Sequence, residues 1–347
     1  MKTIIHTIDK DAPSDVIITR AAEIIRRGGL VAFPTETVYG LGADGTRSDA
    51  ANAIFAAKGR PADNPLILHV YDPVDAEKYA YLSPLYFRLA EAFMPGPITV
   101  VVSAKDDVPL SVRASLPTVA IRCPAHPVAR ALIKAAGVAI AAPSANLSGS
   151  PSPTCGSHVC RDLDGRIDMI LDGGDCDIGV ESTIVKIVDD ESMILLRPGG
   201  ITVDALKKIG NVVVSSAVTA ALAEGQIAES PGMKYKHYAP KASLVLLKGD
   251  EKSRQKYILH HSKENECILC YAEEIELYSS KLTANRVFSL GNENDLATHC
   301  NRLFRLLREA DDTGVEKIYA PLPTTEGIGL ALYNRMIRAA AHRIIEV

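Results

Sequence analysis

A chain of 347 residues is too long for one ordinary core, so two domains are the default expectation. Its 47% hydrophobic and 23% charged content is that of a globular protein, and a net charge of −4 argues against a general nucleic-acid coat, so any polyanion site must be local. Asp9, Lys10 and Asp11 stand where a secretory signal would need an apolar core, and the longest uncharged stretch, 135–160, is broken by Pro143, Pro151 and Pro153 and reads as a strand and loops. The expectation is a cytoplasmic protein without a membrane span.

In chain order, helix and strand patterns alternate: helix about 14–27 ending at Gly28-Gly29, strand 30–33, helix 48–58, strand 66–70, helix 83–93 and strand 98–103. Strand 118–123, helix 126–136, strand 138–142, strand 168–172, the strand pair 183–188 and 193–197, and a short helix at about 202–209 follow. This predicts an α/β domain with a mixed sheet. No clear periodicity follows until Ser230–Pro240, a stretch with proline at both ends that reads as a linker. The pattern then restarts as strand 243–248, helix 251–262, strands 267–271 and 286–290, helix 294–310, strand 317–320 and helix 329–342, a small doubly wound domain.

The segment Lys58-Gly59-Arg60-Pro61-Ala62-Asp63-Asn64-Pro65 places two cations at the negative end of the 48–58 helix, with Ser48 as its N-cap and Gly59 just past its end. Contact with the helix dipole, about 0.3–1 kcal/mol, explains one cation but not both, and Pro61 and Pro65 stiffen the connection. The segment reads as a phosphate or carboxylate site. Gly40-Leu41-Gly42-Ala43-Asp44-Gly45 matches GxGxxG, but the preceding strand ends near Pro34, too early for the tight strand-to-helix turn, so a dinucleotide fold is a second choice. The chain has no GxxxxGK[ST], no GxSxG and no HExxH.

Other polar candidates cluster at strand ends. Arg122 ends an apolar strand and pairs either with a structural carboxylate or with a ligand carboxylate. Ser144 and Asn146, then Ser148–Thr154, Glu181-Ser182-Thr183 and Arg197 repeat the theme. His69, between Leu68 and Val70, is a core histidine or a hydroxyl partner, with binding favoured over proton transfer. Seven scattered cysteines fit reduced thiols, and Cys267 and Cys270, three apart on a strand, face opposite sides and read as buried thiols, not a metal pair.

Taken together, the runs TETVYGLG, KGRPADNPL, PGPITVV, TVAIRCPAHP, APSANLSGSPSPT, VESTIV, LRPGGIT and SPGMKYKHYAP resemble the YrdC-type threonylcarbamoyl-AMP synthases, in the long form with an extra C-terminal domain. The resemblance spans about residues 14–241; the last hundred residues match by length and layout. It implies a YrdC-like twisted mixed sheet with flanking helices over 1–205, a linker or lid over 206–241 and a Rossmann-like domain over 242–347.

The resemblance also implies a reaction: L-threonine, bicarbonate and ATP give L-threonylcarbamoyl-AMP and pyrophosphate. A separate transferase then modifies the adenosine beside the anticodon of ANN-decoding tRNAs. By motif, Thr35, His69, Arg122, Ala142 and Ser182 surround threonine. Lys58, Arg60, Asn64, Thr118, Ser144, Ser152, Arg197 and His237, with Asn146 nearby, surround ATP, Lys58 and Arg60 being the catalytic cations and Mg²⁺ accompanying the triphosphate. Lys234–Tyr238 alternates charge and aromatic character, which fits a tether or a weak tRNA contact, and the resemblance implies a third role, a lid over the nucleotide. The readings that compete with the synthase are an RNA-binding module without turnover and a carbamoyl-transfer relative that ignores threonine.

Overall fold

A computed structural model describes residues 2–220, 238–280 and 286–347. Residues 221–237, including His237 and most of the Ser230–Pro240 stretch, therefore lie outside the described residues, whereas 206–220, also expected to belong to the linker, are part of the first compact unit. The described chain divides into two compact units. The first takes the residues up to 220 except Gly149–Pro151; the second takes those three and the residues from Tyr238 on.

In the first unit the strands are β1 Ile4–Thr7, β2 Val31–Phe33, β3 Gly40–Asp44, β4 Ile67–His69, β5 Ala80–Tyr81 and β6 Ile98–Ala104, then β7 Thr118–Arg122, β8 Ile140–Ala142, β9 Met169–Asp172, β10 Thr183–Ile187, β11 Ser192–Arg197 and β12 Asn211–Val214. They form one mixed sheet in the order β1-β9-β2-β3-β8-β4-β7-β6-β10-β11-β12, with β5 also on β6. The helices are α1 Asp15–Arg26, α2 Ser48–Lys58, α3 Pro84–Phe93, α4 Leu110–Arg113, α5 Pro127–Ala136, α6 Gly156–Leu163 and α7 Val203–Lys207. α1 and α5 form the main core. Ile18, Ala21, Ala22 and Ile25, spaced at three and four, lay one face of α1 onto Val128, Leu132, Val31, Phe33 and Ile140.

Several local expectations are corrected. The GxGxxG run is β3, a wholly buried strand paired antiparallel to β2 and β8, not a phosphate turn. Its glycine at 42 is there for packing: a Cβ would stand 2.7 Å from the Phe33 ring and from Ile140. The N-cap of α2 is Arg47, with no side-chain cap bond, and Ser48 is the first helical residue. The C-terminal end matches the expectation, with Gly59 in the left-handed region (φ 61°). The strands β1, β5 and β12 and the helices α4 and α6 had no counterpart in the periodicity. Each is short, and α6 starts within the stretch read as loop.

The second unit contains β13 Ser243–Lys248, α8 Glu251–His261, β14 Glu266–Cys270, α9 Ile275–Ser279, β15 Val287–Ser289, α10 Leu296–Asp312, β16 Lys317–Pro321, α11 Gly329–Ala339 and β17 Ile344–Glu346. Its five strands are parallel throughout, in the order β15-β14-β16-β13-β17. Ile258 of α8 and Tyr278 of α9 pack on Val245, Leu247, Ile268 and Cys270, while α10 packs against α11. The right-handed crossover rule puts these two helix pairs on opposite faces, a doubly wound sheet. The Rossmann-like expectation needs correcting in one respect: β16 lies between β13 and β14, where the familiar order has the first and second strands adjacent. α9 and β17 were not anticipated. None of the seven cysteines is in a disulfide, and Cys267 and Cys270 are buried.

Candidate active site

Strand register assembles the site. His69 pairs with Arg122, Arg122 with Thr99, Thr99 with Ile184 and Ile184 with Arg197, so one row crosses β4, β7, β6, β10 and β11. Directly paired residues share a face, which brings an imidazole, a guanidinium and a hydroxyl together on neighbouring strands of a single surface.

Arg122 holds the loop between β2 and β3. Its Nη2 donates to Glu36 Oε1 at 2.7 Å, Thr37 Oγ1 at 2.8 Å and Thr35 Oγ1 at 3.3 Å, while Ala125 N donates to Glu36 Oε2 at 3.2 Å. Both partners of the ion pair are buried. Burial alone would raise the Glu36 carboxyl, but the Arg122 charge and hydrogen bonds outweigh it and hold the group below its ordinary value. The structural-carboxylate alternative for Arg122 is thus realised. Arg122 Nε, also buried, has no hydrogen-bond partner, so one edge of the guanidinium remains for an acceptor. Glu36 was missed as a site residue. The sequence offered only the polar run Thr35-Glu36-Thr37 before Val38 and Tyr39; that all five are buried appears in the structure.

His69 Nδ1 lies 3.1 Å from Ile67 O and 3.3 Å from Ile140 O. Two acceptors fix the proton on Nδ1 and leave Nε2 as an acceptor. Burial, then the nearby Arg122 charge, lowers its pKa to about 3. The ring is neutral at working pH and is not a proton shuttle. An NMR titration should show no His69 inflection between about pH 5 and 8. Below its ordinary 6.5 the unfolded chain gains a proton that the folded one refuses, so this residue's contribution to stability falls as pH drops from there toward 3.

At the other end of the row, Arg197 Nε donates to Ser182 O and its Nη2 to Ser182 Oγ, both at 3.1 Å, and Ser182 Oγ lies 2.8 Å from Thr99 Oγ1. Ser152 Oγ hydrogen-bonds Glu181 Oε1 beside it. Gly199 closes this corner: a Cβ there would stand 2.4 Å from Thr183 N, 2.6 Å from Glu181 O and 2.7 Å from Ser182 C, all rigid backbone. Gly199→Ala is therefore expected to displace Ser182, cost about 1–3 kcal/mol in thermal unfolding and lower turnover more than tenfold.

Lys58, the last residue of α2, is tied to the loop beyond β8. Lys58, 2% exposed, donates from Nζ to Ser144 O at 2.5 Å and to Asn146 O, with Asn146 Oδ1 at 3.4 Å. Ser144 Oγ donates to Asn146 Oδ1 at 2.5 Å. Arg60 Nη2 donates to Asn64 O at 3.3 Å and Pro65 O at 3.2 Å, and Asn64 Oδ1 is buried without a hydrogen-bond partner. Ala142 pairs with Ile67, two residues from His69 on the same strand, hence about 7 Å along it. Thr118, four residues before Arg122, starts β7 about 13 Å from the row. The structure thus sets His69, Arg122 and Arg197 in one row and brings the loop residues Thr35 and Ser182 against it by hydrogen bonds to Arg122 and Arg197, with Ala142 two residues away along the strands. Lys58, Ser144 and Asn146 form a second group, Arg60 and Asn64 its extension, and Ser152 flanks Ser182 through Glu181. His237 lies outside the described residues. Among the described residues, no group of three or more His, Cys, Asp or Glu could hold a metal, and no helix is long and apolar enough to cross a membrane.

Comparison with known proteins agrees with this architecture. A family model covering Sua5, YciO and YrdC, described as telomere recombination, matches residues 23–199, and the model of the threonylcarbamoyl-AMP synthase C-terminal domain matches 201–341. The chain is 43% identical to threonylcarbamoyl-AMP synthase of Bacillus subtilis over 98% of both chains, and 43% identical to that of Pyrococcus abyssi over 94% of this chain and 95% of the other. Among solved structures, Pyrococcus abyssi Sua5 complexed with L-threonine superposes with a TM-score of 0.91 at 39% identity, covering 99% of this chain and all of that one. Escherichia coli YciO matches with a TM-score of 0.52 at 25% identity, over 57% of this chain and 96% of its own. With both models matched in order and relatives aligned along nearly the full length, the chain belongs to the threonylcarbamoyl-AMP synthase family of enzymes.

Proposed function

We propose that this chain joins L-threonine, bicarbonate and ATP into L-threonylcarbamoyl-AMP with release of pyrophosphate. The observation that carries this reading is the arrangement of the sheet: a row of polar groups suited to an amino acid on β4, β7 and the loop before β10, with buried cations in the adjoining segment after α2. Pyrococcus abyssi Sua5, similar along its whole length, was solved with L-threonine. Here the threonine carboxylate is assigned to the open edge of Arg122, its hydroxyl to His69 Nε2, and its remaining surface to Thr35, Ala142 and Ser182. The nucleotide is assigned to Lys58, Arg60, Asn64, Thr118, Ser144, Asn146, Ser152, Arg197 and His237.

The chemistry needs these residue types. The threonine amine and bicarbonate give an N-carboxylate and water; a carboxylate oxygen then attacks the α-phosphorus in line with departing pyrophosphate. Both reactants are anions, so Lys58, Arg60 and Arg197 offset their repulsion and the charge growing on the leaving group. The attacking carboxylate is already ionised, so no general base is required, in keeping with a neutral His69. Magnesium enters with the triphosphate; the described residues offer it no carboxylate cluster, and no step is assigned to a protein-held metal. In this reading the catalytic domain runs past the expected boundary at 205, because β12 extends its sheet as far as Val214; the segment from 221 to 241 is a lid that shields the mixed anhydride from water, and 242–347 is the second domain. The product would pass, in the cytoplasm, to a separate tRNA threonylcarbamoyl transferase.

The test is pyrophosphate release by the pure protein. Release that requires ATP, L-threonine and bicarbonate together is the expected result. Release with bicarbonate and no threonine would move the assignment to another carbamoyl chemistry, and RNA binding without any release would move it to a binding module.

A further inference from the structure

The second sheet contains a crevice outside the candidate active site described above. The connection leaving β14 runs through residues 272–279 to β15 at the outer edge, whereas the one leaving β16 runs through α11 to β17, beyond β13. β14 and β16 are parallel neighbours, so the loops leaving their carboxyl ends diverge. Open parallel sheets bind small molecules at this kind of switch point. A cavity of about 230 Å³ lies there. Its lining begins one residue beyond β14 at Tyr271 and one beyond β15 at Leu290, and includes Pro321, the last residue of β16, and Thr324 of the next loop.

The lining indicates the kind of ligand. Leu332 and Met336 of α11 supply an apolar floor. Tyr271 and His299, both on the lining, stack on each other with centroids 5.4 Å apart at 23°, and His299 Nε2 is held at 2.9 Å from Asn292 O. Glu293 and Asn294 offer a carboxylate and an amide. The Glu293 side chain is half exposed and forms a long ion pair with Arg254 through Oε1 at 3.9 Å, without a hydrogen bond, so the carboxylate can still accept from a donor. Glu273 accepts from the Glu293 backbone N–H and Asp295 caps α10, so three carboxylates, with that of Glu293, stand beside the cation Arg254, which lies over the Tyr271 ring, a balance that opposes a phosphate. The volume is below the roughly 300–1,000 Å³ of drug-sized pockets and suits one ring system. We propose that this crevice binds a flat, amino-bearing heterocycle of nucleobase size, without phosphate, separately from the adenylate-forming site.

The test uses the full-length protein labelled at methionine methyls, saturated with ATP so that the catalytic domain is occupied, with adenine as probe and AMP as control. The Met336 resonance, assigned by its loss in Met336→Leu, should shift saturably with adenine and not with AMP. Glu293→Gln should weaken binding about fivefold or more, and Leu332→Trp, which fills the floor, should abolish it, pyrophosphate release being unchanged in both. No Met336 shift at millimolar adenine, an equal shift with AMP, or unaltered binding in Glu293→Gln would each overturn the assignment. The exposed Glu293 variant keeps the test decisive if the Leu332 variant fails to fold.

Discussion

Lys58→Ala is expected to lower kcat/KM for adenylate formation by about 10²–10³-fold, the usual loss when a placed donor to a transferring phosphoryl group is removed. Part of the effect is structural. Lys58 Nζ faces Ser144 O, Asn146 O and Asn146 Oδ1, and without it these acceptors lose their buried cation. Leaving such a group unsatisfied costs about 1–3 kcal/mol, a few degrees of Tm in a unit of this size. A rate loss much larger than the lost folded fraction identifies the cation's part in the chemistry; wild-type turnover in a folded Lys58→Ala protein would remove Lys58 from the mechanism.

Glu36→Ala is expected to be the most destabilising single change in the site. It strands Arg122, 4% exposed, without its carboxylate, and breaking a buried pair from one side costs about 3–5 kcal/mol. At about 2–4 °C per kcal/mol the first unit should melt roughly 6–20 °C lower. The pH dependence has a defined sign. Because the folded Glu36 carboxyl sits below its ordinary 4.5, its stabilisation is present above that value and lost as pH falls through the lower folded value. The gap between wild type and Glu36→Ala should therefore be widest near neutrality and close in acid. The variant should also raise KM for threonine far more than for ATP, because Arg122 loses the partner that aims it. Equal effects on both substrates would contradict that positioning role.

The sequence carried the periodic parts of this molecule well, for physical reasons that particular elements make plain. α1, α2 and α5 have continuous apolar faces and ends marked by glycine, and their bounds fall within a residue or two of expectation. β3 was lost because its glycines, there so that Phe33 and Ile140 can pack closely, look like a phosphate loop when read alone. α4 and β12 are too short to show a period, and α6, more than two turns long with Gly156, Val159 and Leu163 buried on one face, begins inside the stretch read as strand and loops. Most of the candidate site residues were visible as cations and hydroxyls at strand ends. What the chain alone did not show was the register that aligns His69, Arg122, Thr99 and Arg197, nor the buried Glu36 that occupies half of Arg122, because both depend on pairings between segments far apart in sequence.

The most direct test of the account is the mass of the product formed from ATP, L-threonine and ¹³C-bicarbonate. An acid-labile adenylate containing threonine, one labelled carbon and AMP, formed in step with pyrophosphate, is the expected result. A threonine adenylate without the labelled carbon, or hydrolysis of ATP with no threonine-containing adenylate, would contradict it.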